Sequence, residues 1–265
     1  MIRLRFGKTR HNYTHPRYPR YVSLDSLSHK PDFQGTLKVI TYNIRLARET
    51  EKAIDLLTGH RDLNDADILC LQEMDHRGVD LIARSLKYNY VYYPAIHHPR
   101  STKDFGNAIL SKWPILSDRK IILPKAGAGK LQRIAVNATI SVNGAKISVF
   151  SIHMKIYTRR RQRRVLINHI LSAIEPSVKN CVVAGDFNTF SKSSRRTFLE
   201  PLKEAAFESA TESIGWTYKY WYLLNKRAAL DHIFIKGMSV INSGKVVNRK
   251  PSDHIPVWGE MQLAG

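Results

Sequence analysis

From residue 37 onward, short apolar runs alternate with longer stretches whose apolar residues recur three or four positions apart. The short runs are rich in Val, Ile and Tyr, which suit a pleated surface. They predict strands at residues 37–42, 68–71, 90–93, 108–110, 134–141, 147–152, 182–184, 232–235, 240–246 and 255–261. Helices are predicted at 51–59, where Ala53, Ile54 and Leu57 share a face, and at 159–174, where Leu166, Ile170 and Ile174 do. Pro176 disfavours further helix at Glu175. Two more helices are expected at 78–86 and 194–203. Strands outnumber helices and the two are interleaved, so the class is α/β, or α+β, with a large sheet core.

No long Pro/Gly/Ser linker, low-complexity tract or solenoid-spaced repeat interrupts the apolar segments beyond the N-terminal arm. The reading is a basic arm over residues 1–36 and a single domain over 37–265. No apolar run approaches the roughly 20 residues that span a bilayer, and "MIRLRFGKTRHNY" lacks the apolar centre of a signal peptide. A soluble and, by default, cytoplasmic chain is expected. Cys70 and Cys181 both lie in or beside apolar runs with no Cys/His ligand spacing around them, and read as core thiols.

Charge adds a partner class. Lys and Arg number 42 against 22 Asp and Glu, a formal +20, a field that attracts polyanions: nucleic acid or an anionic phospholipid surface. The segment "KIYTRRRQRR", residues 155–164, carries six basic residues directly after "FSIHM" and is a candidate for positioning phosphates. The arm's "YTHPRYPRY" interleaves aromatics with cations, a pattern that either stacks on bases or drapes over the domain.

Polar residues fall at the strand ends in a consistent way. "VITYN" ends on Asn43, "DILCLQE" on Glu73, "VFSIH" on His153 and "VVAGDFN" on Asp186 and Asn188. Two later runs reverse the order: Asp231 precedes "HIFI", and Asp253 and His254 precede "IPVWGEM". If those strands run antiparallel to the others, all these groups meet at one sheet rim.

The succession "TYNI", "LQEMD", "GNAILS", "SIHM", "GDFN", "LDHIF", "SDHIPV" resembles the endonuclease/exonuclease/phosphatase superfamily over roughly residues 37–262. That resemblance implies a four-layer sandwich, two central mixed β-sheets flanked by helices. It also implies divalent-metal-dependent hydrolysis of phosphodiesters, with Mg²⁺ the expected cation and Mn²⁺ an alternative. Phosphoryl transfer asks chiefly for in-line positioning and charge neutralisation, which a hard cation with oxygen ligands supplies. By motif position Glu73 and Asn43 hold the metal, joined by Asp253. His254 is the general base, since imidazole is neutral near working pH, and Asp231 orients it. Asp186 positions the attacking water or approaches the metal, Asn188 donates to a phosphoryl oxygen, and His153, if protonated, stabilises the transition state. Asn107 is a candidate for scaffolding or substrate binding. Arg160, Arg161 and Gln162 resemble the family's Arg and Gln after the His motif, and fit solvated helix positions equally.

Departures from the pattern narrow the substrate. Arg45 stands where abasic-site endonucleases carry an acid, and "QEMD" lacks their following Lys; "GDFN" and "ALDH" differ from the inositol phosphatase motifs "GDLN" and "WCDR". A nuclease acting on DNA or RNA is the leading expectation. The alternatives are a phosphoesterase for phospholipids or small molecules and a non-catalytic nucleic-acid-binding module.

Overall fold

The computed structural model describes residues 11–24, 32–98, 102–125, 131–156, 158–220 and 226–263. Parts of the expected arm, 1–10 and 25–31, lie outside the described residues, as does Tyr157 of the basic segment.

The continuous apolar runs are explained by burial on both faces of each strand. Val39, Ile68, Cys70, Val149, Val182 and Ile233 meet in one core between two sheets. Their neighbours in sequence point the other way. Ile40, Leu69 and Leu71 pack under helices α1 (Thr50–Gly59) and α2 (His76–Leu86). Phe150, Ile152 and Val183 pack under α3 (Arg160–Ser172) and α4 (Lys192–Glu204). The order of layers is therefore helices, sheet, sheet, helices, the arrangement expected from the sequence. Cys70 lies between the sheets and Cys181 under the second helical layer, both free and buried.

Both sheets are mixed. In the first, Thr36–Asn43 pairs parallel with Ile68–Met74 and antiparallel with Val257–Leu263. In the second, Ala145–His153 and Asn180–Asp186 run parallel, and Asp231–Lys236 lies antiparallel to the latter. These directions satisfy the condition set above: strands that end in polar residues and strands that begin with them share an edge.

Some details differ from expectation. Ile115–Ile122, which was not anticipated, forms an edge strand of the second sheet. Its "LSDRK" interior is polar because one face meets solvent, which erases the apolar signal. The last strand starts at Val257 rather than 255, and α2 starts earlier than 78, because Asp75 accepts from the Gly78 backbone N–H at 2.7 Å and caps it. Within the arm, His11–Asn12 and Tyr21–Ser23 pair antiparallel with Asn89–His97, covering an edge of the first sheet. Arg20 holds this segment through two hydrogen bonds to Asp118, at 2.8 and 2.6 Å.

Candidate functional site

The strand registers bring the polar termini together. Asp186 is opposite His153 on one side and Asp231 on the other, so three of the candidate residues stand abreast in the second sheet. Asn43, ending its strand in the facing sheet, closes the gap between sheets by donating from Nδ2 to Asp186 Oδ2 at 3.1 Å. Ser252 Oγ donates to the Asn43 carbonyl at 2.7 Å and accepts from His254 N at 3.2 Å, which fastens the "SDH" turn to the same rim.

Glu73 reaches the pocket by a local distortion. Pairing with the neighbouring strand shifts register between Leu71 and Met74, and Glu73 itself has φ +59°. A bulge of this kind re-aims a side chain and costs backbone energy, a cost tolerated where the surroundings fix the conformation. Asn188, at φ +52°, turns the chain after Asp186 in the same manner. His153 Nε2 stands between two carboxylates, 3.5 Å from Asp186 and 3.9 Å from Glu73.

His254 and Asp231 form a buried pair, Nδ1 to Oδ2 at 2.9 Å. The same Asp231 oxygen accepts from Thr217 Oγ1 at 2.6 Å, and that hydroxyl also accepts from the Asp231 and Leu230 backbone N–H groups. His254 Nε2 thereby points inward, 3.8 Å from Asp186 Oδ2. Ligating atoms of Asp186, Asp231 and His254 lie within 4.8 Å of one another, and Asp231 Oδ1 is buried without a hydrogen-bond partner. With Glu73 on the far side of His153, this oxygen-rich pocket fits a hard divalent cation.

The electrostatics agree with that fit. Burial raises the Glu73 carboxyl above its ordinary range, and the charge of Asp253 adds to this while His254 and Arg133 oppose it. Asp186 is pushed up to about 7, chiefly by burial and with Asp231 adding repulsion, although His254 pulls the other way. Burial alone would lower His254, yet Asp231 and Asp186 outweigh it and raise the ring to about 10. Burial is the main cause for both carboxyls, and a cation beside them would favour their charged forms.

The remaining candidates divide: His153 and Asn188 lie in surroundings other than those expected, while Asn107 takes a scaffold position and Arg160, Arg161 and Gln162 lie at the start of α3. Burial holds the His153 ring well below its ordinary pKa, with Arg133 and His254 adding to the effect, which opposes the protonated form expected of it. Asn188 uses its amide on the Met154 carbonyl, 2.8 Å, and on Asp186, 3.3 Å, so it orients Asp186 instead of facing a phosphate. Asn107 donates to the Ile134 and Ser151 carbonyls at 3.1 and 3.2 Å, a strut between the two sheets. Gln162 accepts from the Arg159 backbone N–H at the start of α3, and Arg160 and Arg161 are exposed beside it.

The arginine of α3 that reaches the site is Arg163, which was not singled out in the sequence. It is buried and donates to the Phe187 carbonyl at 2.7 Å, inside the "GDFN" turn. Arg163→Ala leaves that carbonyl without its partner, at a cost of about 1–3 kcal/mol. Thermal unfolding of Arg163→Ala beside the exposed neighbour Arg164→Ala checks this; equal melting temperatures for the two would refute it.

Arg133 was also missed. Its guanidinium lies over the Phe105 ring, 5.1 Å from the centroid, within the field of Glu73 and Asp186, and its Nε and Nη1 are buried without hydrogen-bond partners. A cue was available: "LQRIAV" places one cation immediately before a buried strand, the same position that Asp231 occupies in its own. Half-buried rings complete the rim. Tyr218 lies 4.9 Å from the His254 ring and 5.2 Å from Tyr220, and Phe190 is 5.8 Å from Tyr220.

Two facing mixed sheets with a buried Asp186, Asp231 and His254 group at their rim are the setting found in a family of metal-dependent phosphoester hydrolases. The chain belongs to the endonuclease/exonuclease/phosphatase family, whose model it matches over residues 40–254. No curated protein matches it. Its fold is similar to that of an endonuclease/exonuclease/phosphatase family protein from Leptotrichia buccalis C-1013-b, at 19% identity and TM-score 0.69, covering 86% of this chain and 100% of that one. It is similar also to a mannosyl-6-phosphatase from Bacteroides thetaiotaomicron VPI-5482, at 17% identity and TM-score 0.66, over 85% and 99% of the two chains. A third likeness is to D. rerio TDP2 complexed with single-strand DNA product, at 15% identity and TM-score 0.68, over 86% and 99%.

Proposed function

We propose that this protein is a divalent-metal-dependent phosphodiesterase acting on nucleic acid, with His254 as general base. The observation that carries the reading is the His254–Asp231 pair, whose free ring nitrogen faces Asp186 inside the carboxylate pocket. Asp231, itself held by Thr217, keeps the proton on Nδ1 and leaves Nε2 to take a proton from water. Asp186, steadied by Asn43 and Asn188, holds that water beside Nε2. Glu73, Asn43 and Asp253 would hold the cation, Mg²⁺ or Mn²⁺, which would supply charge neutralisation at the phosphoryl and leaving-group oxygens. Arg133, with two nitrogens lacking protein partners, and the His153 N–H are placed to contact the non-bridging oxygens.

The choice of nucleic acid rests on the formal +20 charge and on the Phe190, Tyr218 and Tyr220 rings beside His254, a surface on which bases stack. A likeness in fold to a DNA-bound TDP2 is compatible with it. No helix among the described residues is long and apolar enough to cross a membrane. The test is nicking of supercoiled plasmid by the purified protein with Mg²⁺, beside EDTA and Glu73→Gln controls. Nicking lost in both controls supports the assignment. Absence of nicking, together with release of phosphate or headgroup from a small ester or a phospholipid, would replace the substrate while leaving the reaction class.

A further inference from the structure

α3 and α4 both begin at the catalytic rim. α3 is the crossover between the parallel strands that end on His153 and Asp186, so it must run away from the rim, and α4 starts four residues after Asn188. The helices pack side by side, and between their N-terminal halves lies a cavity of about 490 Å³. Arg160, Arg161 and Arg164 line it from α3, and Arg196, Ser193 and Thr197 from α4. Glu200 is the sole carboxylate among the described lining residues, and Arg164 leans toward Glu204 at 3.5 Å. Among the described residues, Arg160, Arg161 and Arg196 have no carboxylate within ion-pair distance.

We infer that this cleft is a second phosphate-binding site, which receives the sugar–phosphate backbone of the nucleic-acid strand flanking the scissile bond. The inference rests on the nuclease reading above and adds a track that the catalytic rim lacks. Four guanidinium groups gathered in one trough repel one another unless anions enter it, and a guanidinium fork suits a phosphate. Their arrangement has a repeat: Arg160 and Arg164 are one helical turn apart, as are Ser193 and Thr197, so donors recur about every 5–6 Å. Two successive phosphates of a strand fit two such levels, whereas a single small phosphate would engage only one. The positive ends of both helices face the rim and add to the attraction. A trough also suits a strand better than a bilayer, which is bound through an apolar face sunk below the headgroups.

The test is fluorescence anisotropy of a short labelled DNA duplex, in EDTA and across a salt series, for the wild type, Arg164→Ala/Arg196→Ala and Arg164→Lys/Arg196→Lys. Hydrolysis of bis(p-nitrophenyl) phosphate with Mg²⁺ is measured in parallel. The alanine pair is expected to weaken binding at moderate salt about 10-fold and to flatten the slope of log K against log salt by about 2, roughly one per arginine removed. The lysine pair keeps most of the slope, and hydrolysis of the small diester is unchanged in both variants. An unaltered slope in the alanine pair overturns the proposal. So does equal loss in the lysine pair, which would mean packing rather than charge, or a parallel loss of small-diester hydrolysis. Anionic vesicles that bind wild type but not the alanine pair, with duplex binding the same in both, would assign the cleft to lipid instead. If no phosphoester is hydrolysed by the wild type yet the slopes differ as stated, the cleft stands and the catalytic reading falls.

Discussion

His254→Ala is expected to lower metal-dependent hydrolysis by about 10²- to 10⁴-fold, the range for loss of a positioned general base. Asp231→Asn should approach the same loss, because the amide can present an N–H to Nδ1 and turn the ring to the wrong tautomer. A base must be neutral to act, yet Asp231 and Asp186 hold the His254 ring near 10 against the opposing effect of burial. Without a cation the ring is therefore protonated through the neutral range. Because the folded value lies above the ordinary 6.5, the pairing stabilises the metal-free fold fully below about pH 6.5, and that contribution is lost as pH rises through about 10. A divalent ion beside Glu73 and Asp186 offsets the carboxylate charge and lowers the ring's pKa, so cation binding should release protons at neutral pH. Titration calorimetry of Mg²⁺ in buffers of different ionisation enthalpy reads this directly. Equal heats in all buffers would show that no net proton leaves and would refute this linkage, and the same titration on His254→Ala separates the ring's protons from those of Asp186 and Glu73. Nicking activity that survives His254→Ala would remove the base from the mechanism altogether.

Gly185→Ala should destabilise the protein by about 3 kcal/mol or more, roughly 6–12 °C in melting temperature for a chain of this size. Gly185 has φ +149°, and a Cβ built there would overlap the Ile152 carbonyl of the parallel strand. Neither backbone can yield, because Asp186 and His153, one residue on in each strand, are paired across the ladder and carry the site. Gly59→Ala is the matched control: nothing lies within 4 Å of its Cβ position, and its place in α1 favours alanine slightly. The first variant should lose stability and activity together while the second changes neither. A Gly185→Ala protein that melts with the wild type would show that the strand pair can spread.

The rim was legible because it depends on residues next to long apolar runs. Asn43, Glu73, His153, Asp186, Asp231 and His254 all end or begin strands whose hydrophobicity is continuous, since both faces are buried. Arg133 carried that flag and was passed over, whereas Arg163 and Thr217 lack it. Arg163 lies among five other basic residues in "KIYTRRRQRR", and which of them turns inward depends on where the helix begins relative to the sheet. Thr217 precedes a short strand of two residues, too brief to leave a periodic signal. The edge strand Ile115–Ile122 was missed for the opposite reason, since its exposed face breaks the apolar run.

The amino-acid sequence by itself determined the strand-rich alternation of elements, the polar residues at the strand ends and the excess of positive charge, while the four layers were implied by the resemblance that the ordered motifs carry. The first three are matters of local periodicity and composition. Only the tertiary structure decided which oxygen faces which nitrogen. Burial, with Arg133 and His254, holds His153 below its ordinary pKa, Asn188 turned to Asp186 through its own left-handed backbone, and four arginines formed a trough because two helices start from adjacent strands. Those outcomes depend on distances between segments far apart in the chain, and on the dielectric that their packing creates, neither of which any local stretch of sequence encodes.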